Sequence, residues 1–491
     1  MHRLAQLDHA HVWHPFTQMR DWLKDEPILL TAGKGAVLCD LHGKEYLDAN
    51  SSIWTNLHGH NHPVINRAIR RQLKKIAHSS ALGLANEPAS LLAARLVKAA
   101  NPEFTVSRVP TTRNPARSGR RLEKVFFSDD GSTALETALK LAYEFTRRVC
   151  GEKARPKFLA LDGAYHGDTV GAVSLGHIDL FHKAYSGLLF KTDKVMSPYC
   201  YRCPFNRARP ERADARTYRR CNWECVGQVE QKLNAQKKRG QPYSAFVFEP
   251  LMQGAAGMIP QPPGWLRQVT ELAQAHGALL IADEVMTGFG RTSSNFKNRN
   301  SKSPLFACAE EGVQPDFLCL AKGLTGGYLP MAATLTTQKV FDAFLGEYHE
   351  FKAFFHGHSY TGNQLGAAAA LASLEILEST PSNAARAALQ ENLATALLPL
   401  WSQPEVGDIR QVGCVVGIEL VRNWRTREPF ALRERAGLRV CAAMARRGVL
   451  TRPVGNVIVV MPPFCATAKQ VRKMVESLSA ALAETRLPAT R

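Results

Sequence analysis

The chain has 491 residues, of which 45% are hydrophobic and 21% are charged, close to ordinary globular proteins. These figures exclude disordered, collagen-like and coiled-coil proteins, and the length suits about two to four domains or one large α/β domain with an accessory part. The 62 Lys and Arg against 43 Asp and Glu give a formal net charge of +19. Such a surplus is typical of proteins that bind nucleic acid or anionic membranes, but composition does not show where the charge lies.

Residues 1–18 contain no apolar core of a signal peptide, and no run of about 18 apolar residues could span a membrane. The eleven cysteines are an odd number and lie mostly in apolar contexts, which favours reduced thiols over disulfides. We therefore expect a cytoplasmic protein with no membrane partner. No recognition helix or platform of aromatic and basic residues supports a nucleic-acid partner, so we expect none.

In chain order, the first elements are short. Residues 35–48 alternate around glycines like a β-hairpin, and residues 62–76 place apolar side chains at helical spacing. Helices then lie between predicted apolar strands at 124–128, 157–161, 244–250, 278–285 and 316–323. This alternation predicts an α/β fold whose parallel or mixed sheet is covered by helices on both faces, with its chemistry at the carboxyl ends of the strands.

The last 110 residues predict a separate α+β module, with strands around 412–420 and 456–463 and helices around 432–447 and 467–485. Two basic stretches interrupt the pattern upstream. Residues 107–121 contribute +5 and are expected to be an exposed loop, and residues 199–225 form a second basic loop that contributes +4. About half of the net charge is thus predicted to lie away from the strand ends.

Two predicted strands end in residues that can carry out chemistry. Lys322 ends an apolar run, where desolvation lowers its pKa and makes its amine a usable nucleophile for a Schiff base; the alternative is a lysine that reaches solvent. Asp283 ends another, where a carboxylate can hold a protonated pyridine nitrogen; the alternative is a cap on the next segment. Neighbouring Glu284 is expected to face the other way.

Gly131 and Ser132 stand between a predicted strand and a predicted helix. Backbone N–H groups and a small hydroxyl there suit a phosphate, although a simple helix cap explains the pair equally well. Tyr165, followed by His166 and Asp168, comes directly after another strand. An aromatic ring at such a position can stack on a planar cofactor, and the alternative is a turn with structural side chains.

The segment HGHSYTGN (356–363) could form a metal site, a phosphate site or a tight turn, and its H-x-H motif is weak evidence for a metal without acids nearby. Arg452 could bind a carboxylate through two hydrogen bonds. Together the candidates supply the parts of a pyridoxal 5′-phosphate site: a lysine, an acid for the ring nitrogen, a stacking ring and a phosphate cradle. The sequence contains no GxxxxGK[ST], HExxH, GxSxG or strand-linked GxGxxG motif.

A family resemblance is carried by four segments: VFEPLMQGAAG, LLIADEVMTGFGRT, PDFLCLAKGLTGGYLPMAAT and HGHSYTGNQLGAAAALASLEIL. They resemble the class-III aminotransferases of fold type I. The resemblance narrows, through HVWHPFTQM, SSIWTNLHGHNHP, DGAYHGDTVGAVSLG and LTRPVGNVIVVMPP, to the branch that makes 7,8-diaminononanoate from 8-amino-7-oxononanoate in biotin synthesis. It extends from about residue 11 to 485, apart from the two basic loops.

The resemblance implies a large domain at 86–380 that binds pyridoxal 5′-phosphate, built on a mixed, mostly parallel sheet. It also implies a smaller α+β domain built from both ends of the chain, residues 1–85 and 381–491, and a homodimer with shared active sites.

The resemblance also assigns roles to residues. Lys322 would form the Schiff base with the cofactor and move protons, Asp283 would hold the pyridine nitrogen, and Tyr165 would stack on the ring. The phosphate would be held by Gly131 and Ser132, together with His358 and with Ser359 reaching across from the neighbouring subunit. Substrate-contacting positions are matched by Trp54, Tyr165, Gly357 and Arg452.

The amino donor is less clearly indicated. Relatives that use S-adenosylmethionine typically have a tyrosine in an HPYT motif and a Trp-Trp pair, whereas this chain has Phe16 and the pair Ile53 and Trp54. The missing hydroxyl and indole remove a hydrogen bond and a stacking surface, as in the branch that uses lysine. We expect S-adenosylmethionine from its frequency in the family, with L-lysine, or another class-III ω-aminotransferase activity, as alternatives.

The second basic loop contains Cys200, Cys203, Cys221 and Cys225, with 17 residues between the pairs. This spacing approaches that of a four-thiolate zinc site. The favoured interpretation is reduced thiols in a solvated loop without a metal; zinc and a disulfide are the alternatives.

Overall fold

A computed structural model of the chain describes residues 1–101, 120–293 and 304–487. Its strands are β1 (Leu30–Lys34), β2 (Val37–Asp40), β3 (Glu45–Asp48), β4 (Leu122–Ser128), β5 (Phe158–Leu161), β6 (Asp193–Val195), β7 (Ala245–Phe248), β8 (Met252–Gln253), β9 (Ile259–Pro260), β10 (Leu279–Asp283), β11 (Phe317–Leu320), β12 (Ala332–Thr337), β13 (Val406–Val412), β14 (Val415–Asn423), β15 (Glu428–Pro429), β16 (Val449–Leu450), β17 (Pro453–Val454) and β18 (Val457–Val460).

Its α-helices are α1 (Arg3–His11), α2 (Met19–Trp22), α3 (Ser51–Trp54), α4 (Pro63–Leu73), α5 (Glu87–Ala100), α6 (Gly131–Cys150), α7 (Val170–Leu175), α8 (Asp179–His182), α9 (Ala215–Tyr218), α10 (Glu224–Lys238), α11 (Trp265–Ala275), α12 (Ala307–Glu310), α13 (Gln338–Asp342), α14 (Gln364–Leu377), α15 (Thr380–Leu397), α16 (Ala436–Arg446) and α17 (Ala468–Thr485). Short 3₁₀ turns occupy Lys183–Leu188, Cys200–Arg202, Lys322–Thr325, Tyr348–Glu350, Leu398–Ser402 and Leu432–Glu434.

A seven-stranded sheet lies at the centre of the fold, in the order β4-β12-β11-β10-β7-β5-β6. The strands from β11 to β6 are parallel, and the register pairs Ile281 with Phe317 and Ala282 with Phe248. Strand β12 is antiparallel to both of its neighbours, β11 and β4. The predicted α/β fold with a mixed, mostly parallel sheet is confirmed.

Helices cover both faces of this sheet because successive residues of a strand point to opposite sides. On one side, Ile281 and Cys319 pack with the buried residues of α6. On the other side, Leu280 and Leu318 pack with buried residues of α5, α11 and α14. Both faces are apolar, so the polar side chains of these strands meet where the strands end.

The two ends of the chain share a smaller sheet, because β16 runs parallel to β3 and pairs Leu450 with Asp48. Farther on, β13, β14, β18 and β17 form a separate sheet. The predicted C-terminal strands and helices correspond to β14, β18, α16 and α17. The domain boundaries at 85/86 and 380/381 stay predictions.

The second basic stretch, residues 199–225, differs from the expected solvated loop. It contains a 3₁₀ turn, α9 and the start of α10, and its side chains Cys200, Tyr201 and Ala215 form a small buried cluster. Its arginines are held by the C-terminal part: Arg202 pairs with Glu419, and the Arg212 guanidinium lies 4.1 Å from the Trp424 ring. Because Arg202, Arg212 and Arg216 contact the C-terminal part, the count of charges overstates the freely exposed basic surface.

The first basic stretch falls almost wholly outside the described residues, with 107–119 not described. Within the described part of the chain, no helix is both long enough and apolar enough to cross a lipid bilayer.

Candidate active site

A cavity of about 1200 Å³ opens at the carboxyl ends of β7, β10 and β11. It brings together seven of the predicted site residues from distant parts of the chain: Trp54, Gly131, Ser132, Tyr165, Asp283, Lys322 and Arg452. Gly357, His358 and Ser359 do not line it. A pocket of this size at the ends of parallel strands is typical of a small-molecule site.

Asp283, the last residue of β10, is held in place by two hydrogen bonds. His166 Nδ1 donates to its Oδ2 at 2.7 Å, and the backbone N–H of Val285 donates to its Oδ1 at 3.0 Å. Burial lowers the pKa of His166, but the hydrogen bond and charge of Asp283 outweigh it and the pKa is raised. The pair therefore fixes the direction in which the Asp283 carboxylate points into the cavity. Glu284 faces away, as expected, and accepts from the backbone of α12.

Lys322 follows β11 and begins a 3₁₀ turn with a φ of 44°. Desolvation lowers the pKa of its ammonium group, an effect that the charges of Asp283 and Glu249 partly offset. Its Nζ lies 4.7 Å from the centroid of the Trp54 ring. A lysine in this setting releases its proton more readily than one in water, as a nucleophile or a base requires.

Tyr165 is fixed at both ends beside the cavity. Its hydroxyl donates to Asp168 Oδ2 at 2.7 Å, and its backbone N–H donates to Glu249 Oε1 at 3.3 Å. Glu249 follows β7 and also accepts from the backbone of Gly254 at 2.8 Å, and its burial raises its pKa to about 7. The sequence interpretation overlooked Glu249, although it closes an apolar strand just as Asp283 does.

The N-terminus of α6 lines the cavity and suits an anion. Asp130 caps the helix through a reciprocal bond with Thr133, and Gly131 and Ser132 begin it. A Cβ atom on Gly131 would lie 2.7 Å from Val285 Cγ1, so only glycine fits between the helix and that side chain. Ser132 Oγ accepts from the backbone N–H of Thr169 at 3.1 Å. Free N–H groups and a hydroxyl converge here, as phosphate binding needs.

Residues 51–54, given above as α3, form a left-handed turn that lines another side of the cavity. All four residues have φ between 47° and 67°, and Trp54 N and Thr55 N donate to the carbonyls of Asn50 and Ser51. Left-handed backbone costs roughly 1–2 kcal/mol per residue in L-amino acids, and such strain is concentrated at functional sites. The segment SSIW carries no signal of this conformation, so the sequence did not predict it.

Two arginines from the C-terminal part line the cavity near its mouth. Arg452 Nη2 donates to the carbonyl of Phe16 at 3.3 Å, and the Phe16 ring meets that of Phe181 edge-on, with 5.3 Å between the ring centroids. Arg435, which sequence reasoning missed, pairs with Asp21 at 2.9 Å. Both residues are solvent-exposed. Arg452 contacts a backbone carbonyl and can still take a carboxylate, whereas Arg435 already pairs with the carboxylate of Asp21.

The segment 357–359 lies beside the site rather than in it. His358 Nδ1 is 3.4 Å from Oδ2 of Asp129, which does line the cavity, and the carbonyl of Ser359 contacts His78 Nε2 at 2.9 Å. The roles of Gly357, His358 and Ser359 stay predictions.

The cysteines lie within the described residues and all eleven are unpaired thiols. Over residues 1–101, 120–293 and 304–487, no three His, Cys, Asp or Glu side chains are arranged to hold a metal ion. Burial raises the pKa of Cys200 to about 12 and that of Cys225 to about 11, which disfavours the thiolates that zinc requires. The thiols of the second basic stretch are thus unpaired, as the favoured interpretation expects, and the absence of a metal from them stays a prediction.

The residues of the cavity fit pyridoxal 5′-phosphate. A desolvated lysine, an oriented carboxylate and a fixed aromatic ring line one cavity. Beside them the N-terminus of α6 is free for the phosphate, and it begins at Gly131, where a Cβ atom would clash with Val285. Val285 adds an apolar side chain to the same lining, suited to the second face of a planar ring.

Comparisons with known proteins agree with this geometry. The family model described as aminotransferase class-III matches residues 20–482. The adenosylmethionine-8-amino-7-oxononanoate aminotransferases of Nitratidesulfovibrio vulgaris and Geobacter sulfurreducens are 48% and 44% identical; the alignments cover 98% and 97% of this chain and 81% and 96% of theirs.

Solved structures agree as well. The crystal structure of the enzyme of that name from Methanocaldococcus jannaschii has a TM-score of 0.84 at 38% identity over 99% of both chains. A PLP-bound amine transaminase from an uncultivated Pseudomonas species has a TM-score of 0.83 at 32% identity, over 96% of this chain and 98% of that one.

Proposed function

This chain belongs to the class-III aminotransferase family, and we propose that it transfers an amino group to 8-amino-7-oxononanoate to form 7,8-diaminononanoate. The observation that carries the proposal is the meeting of Lys322 with the Asp283–His166 pair in one cavity beside the N-terminus of α6. Relatives up to 48% identical bear the name of this activity, which makes S-adenosylmethionine the proposed donor and biotin synthesis the proposed pathway.

Pyridoxal 5′-phosphate, when bound, supplies an aldehyde that links to amines and a ring that withdraws electrons from the reacting carbon. In the proposed site Lys322 Nζ would hold the aldehyde carbon, and the Asp283 carboxylate would hold the protonated ring nitrogen. His166 keeps that carboxylate oriented through the hydrogen bond from its Nδ1. The backbone of Gly131 and Ser132 binds the phosphate, and Tyr165 packs on one face of the ring.

With a substrate amine bound in place of its own, the amine of Lys322 would be available as the base and acid of the reaction. Its lowered pKa would let the Lys322 amine accept a proton from the substrate carbon and later release it to a different atom of the reacting group. Trp54 packs beside Nζ and limits where the amine can point. Arg452 is proposed to bind the substrate carboxylate, with Trp54, Tyr165 and Gly357 as further contacts.

The first test locates the cofactor. Borohydride treatment of holoenzyme, followed by digestion and mass spectrometry, should place the reduced pyridoxal adduct on the peptide that contains Lys322. Lys322→Ala should lose the adduct and lower kcat by at least about 100-fold, since proton transfer alone contributes roughly 10²–10⁴. Exposed Lys183→Ala, outside the cavity, is the matched control. A colourless protein that cannot be reconstituted contradicts the proposal.

The second test identifies the donor. Holoenzyme is mixed with S-adenosylmethionine or with L-lysine alone, and loss of the visible cofactor band is followed. Bleaching by S-adenosylmethionine supports the proposed donor, while bleaching by lysine alone assigns the alternative that Phe16 and Ile53 favour. If neither amine bleaches the band, the biotin assignment is wrong.

We also propose a homodimer with shared sites, in which Ser359 reaches the phosphate site of the neighbouring subunit. Large apolar side chains left exposed on the single chain support a partner: Leu82 is 91% exposed, Tyr348 94% and Phe355 71%. Mixing inactive Lys322→Ala with inactive Ser359→Ala chains should restore activity, because a mixed dimer contains one intact site. No recovery would contradict shared sites. The unpaired thiols support a reducing compartment, which we propose to be the cytoplasm.

A further inference from the structure

The left-handed turn at residues 51–54 has an anchor that does not line the cavity. Asp48, the last residue of β3, is 2% exposed. Its Oδ1 accepts from the backbone N–H groups of Asn50 at 3.3 Å and Ser52 at 2.9 Å. Its Oδ2 accepts from Ser52 Oγ and from His60 Nε2, both at 2.9 Å. One buried carboxylate at the end of β3 therefore binds both the start of the turn and the imidazole of His60.

The carboxylate of Asp48 stays charged in this setting. Burial alone raises its pKa, but the hydrogen bonds from His60 and Ser52 outweigh burial and hold the pKa below its usual value. Hydrogen bonds to a charged acceptor are about twice as strong as neutral ones. Asp48 can therefore hold a backbone conformation that the local sequence opposes.

The turn needs such an anchor because it contains no glycine, and Ile53 is β-branched with a φ of 63°. Left-handed backbone of this kind persists only where surrounding contacts impose it. A second contact comes from Ser51, whose Oγ donates to the carbonyl of Met461 at 2.7 Å. The hydroxyls of the two serines thus bond to groups outside the turn, while Ile53 and Trp54 line the cavity.

Trp54 is the part of the turn that meets the reacting lysine. Its Nε1 donates to Asn50 Oδ1 at 2.8 Å, and its ring centroid is 4.7 Å from Lys322 Nζ. A Cβ atom on Gly254 would lie 3.3 Å from Trp54 Cζ3, so the indole has little room to move toward that wall. Loss of the turn would move the indole away from Lys322.

We propose that Asp48 is a positioning residue of the aminotransferase site: through Ser52 it holds the 51–54 turn, and through the turn it holds Trp54 against Lys322. Its kinetic consequences rest on the proposed function. The position of Trp54 does not depend on which substrates are used.

The kinetic test is a double-mutant cycle of Asp48→Ala and Trp54→Phe, measured as KM and kcat with each substrate. Asp48→Ala should raise KM about tenfold, the effect of losing a hydrogen bond to a charged group. In the Trp54→Phe background the same change should add little, because both act on one contact. Independent effects that multiply, or an unchanged KM for Asp48→Ala, would overturn the proposal.

Asp40→Asn is a matched control in the neighbouring strand. Asp40 is 8% exposed and accepts from the backbone of His42 and Lys44 and from the Tyr46 hydroxyl, but it does not line the cavity. It should lower the free energy of unfolding without changing KM. If Asp40→Asn raises KM as much as Asp48→Ala, the effect is general destabilisation and the proposal is wrong.

A spectroscopic test works without turnover. The emission of Trp54 is isolated as the difference between chains with and without Trp54→Phe, and its quenching by acrylamide is compared with and without Asp48. We expect more quenching in Asp48→Ala, and in Ser52→Ala if the first variant does not fold. Unchanged quenching overturns the proposal, whereas increased quenching in a chain inactive toward the named substrates leaves it standing and refutes only the proposed function.

Discussion

His166 Nδ1 lies 2.7 Å from Oδ2 of Asp283, and the two side chains are 0% and 7% exposed. The residues are 117 positions apart and follow or end different strands of the central sheet. Because a buried ion pair is costly unless both groups keep their partners, each residue depends on the other to remain in place. The pair sets the direction in which the Asp283 carboxylate points into the cavity.

Removing the imidazole should therefore cost more than an ordinary core substitution. His166→Ala leaves the buried Asp283 carboxylate with one backbone donor, and we expect a loss of about 3 kcal/mol in the free energy of unfolding, measured with urea. His166→Asn keeps an amide donor near the position of Nδ1 and should lose clearly less stability and affinity for pyridoxal phosphate. Equal losses for the two variants would show that the hydrogen bond to Asp283 is not what matters.

Burial of Glu249 should make stability depend on pH. Its pKa is about 7 in the folded chain against an ordinary value of 4.5. The folded chain therefore binds the proton more tightly, and the stability that this contributes is fully present below pH 4.5 and is lost as the pH rises from 4.5 through about 7. Relative to Glu249→Gln, the free energy of unfolding of the cofactor-free wild-type chain should fall by up to about 1.4 kcal/mol per pH unit in that window. Exposed Glu230→Gln is the control, and parallel pH curves for wild type and Glu249→Gln would contradict the assignment.

The proposed phosphate site at Gly131 and Ser132 should be sensitive to one added methyl group. Gly167 has a φ of 114°, and a Cβ atom there would lie 2.1 Å from Ser132 Oγ. Gly167→Ala should displace Ser132 and lower the affinity for pyridoxal phosphate at least about tenfold, equivalent to about 1.4 kcal/mol in a binding titration.

Gly163→Ala is its matched control, since Gly163 also has positive φ but its Cβ atom would be 3.3 Å from Ala256. Comparable losses of affinity in the two alanine variants would place the effect in the backbone rather than at Ser132.

Ile53→Trp should alter both stability and donor choice. Ile53 is β-branched and has a φ of 63°, so its backbone is strained. Tryptophan is not β-branched, and the turn should therefore be at least as stable in Ile53→Trp. An added indole offers a stacking surface to an adenosyl group, worth about 0.5–1.5 kcal/mol. We expect the ratio of kcat/KM for S-adenosylmethionine over lysine to rise about 2- to 12-fold. Ile53→Leu, which adds no ring, is the control; an unchanged ratio in Ile53→Trp would exclude position 53 from donor selection.

The sequence by itself determined the central sheet and much of the chemistry. Strands such as β10 and β11 are apolar on both faces, so their residues can only be covered by helices, and the polar residues at their ends, Asp283 and Lys322, are brought to one edge. The glycine and serine at the start of α6 follow from the same strand-to-helix pattern.

Only the tertiary structure decided the features that oppose local preference or join distant segments. The 51–54 turn is left-handed because Asp48 and the carbonyl of Met461, 410 residues from Ser51, hold it so. The cysteine-containing stretch packs on the fold because Glu419, 217 residues from Arg202, gives that arginine a buried partner. Such contacts form only when the rest of the chain has folded, and local pattern does not encode them.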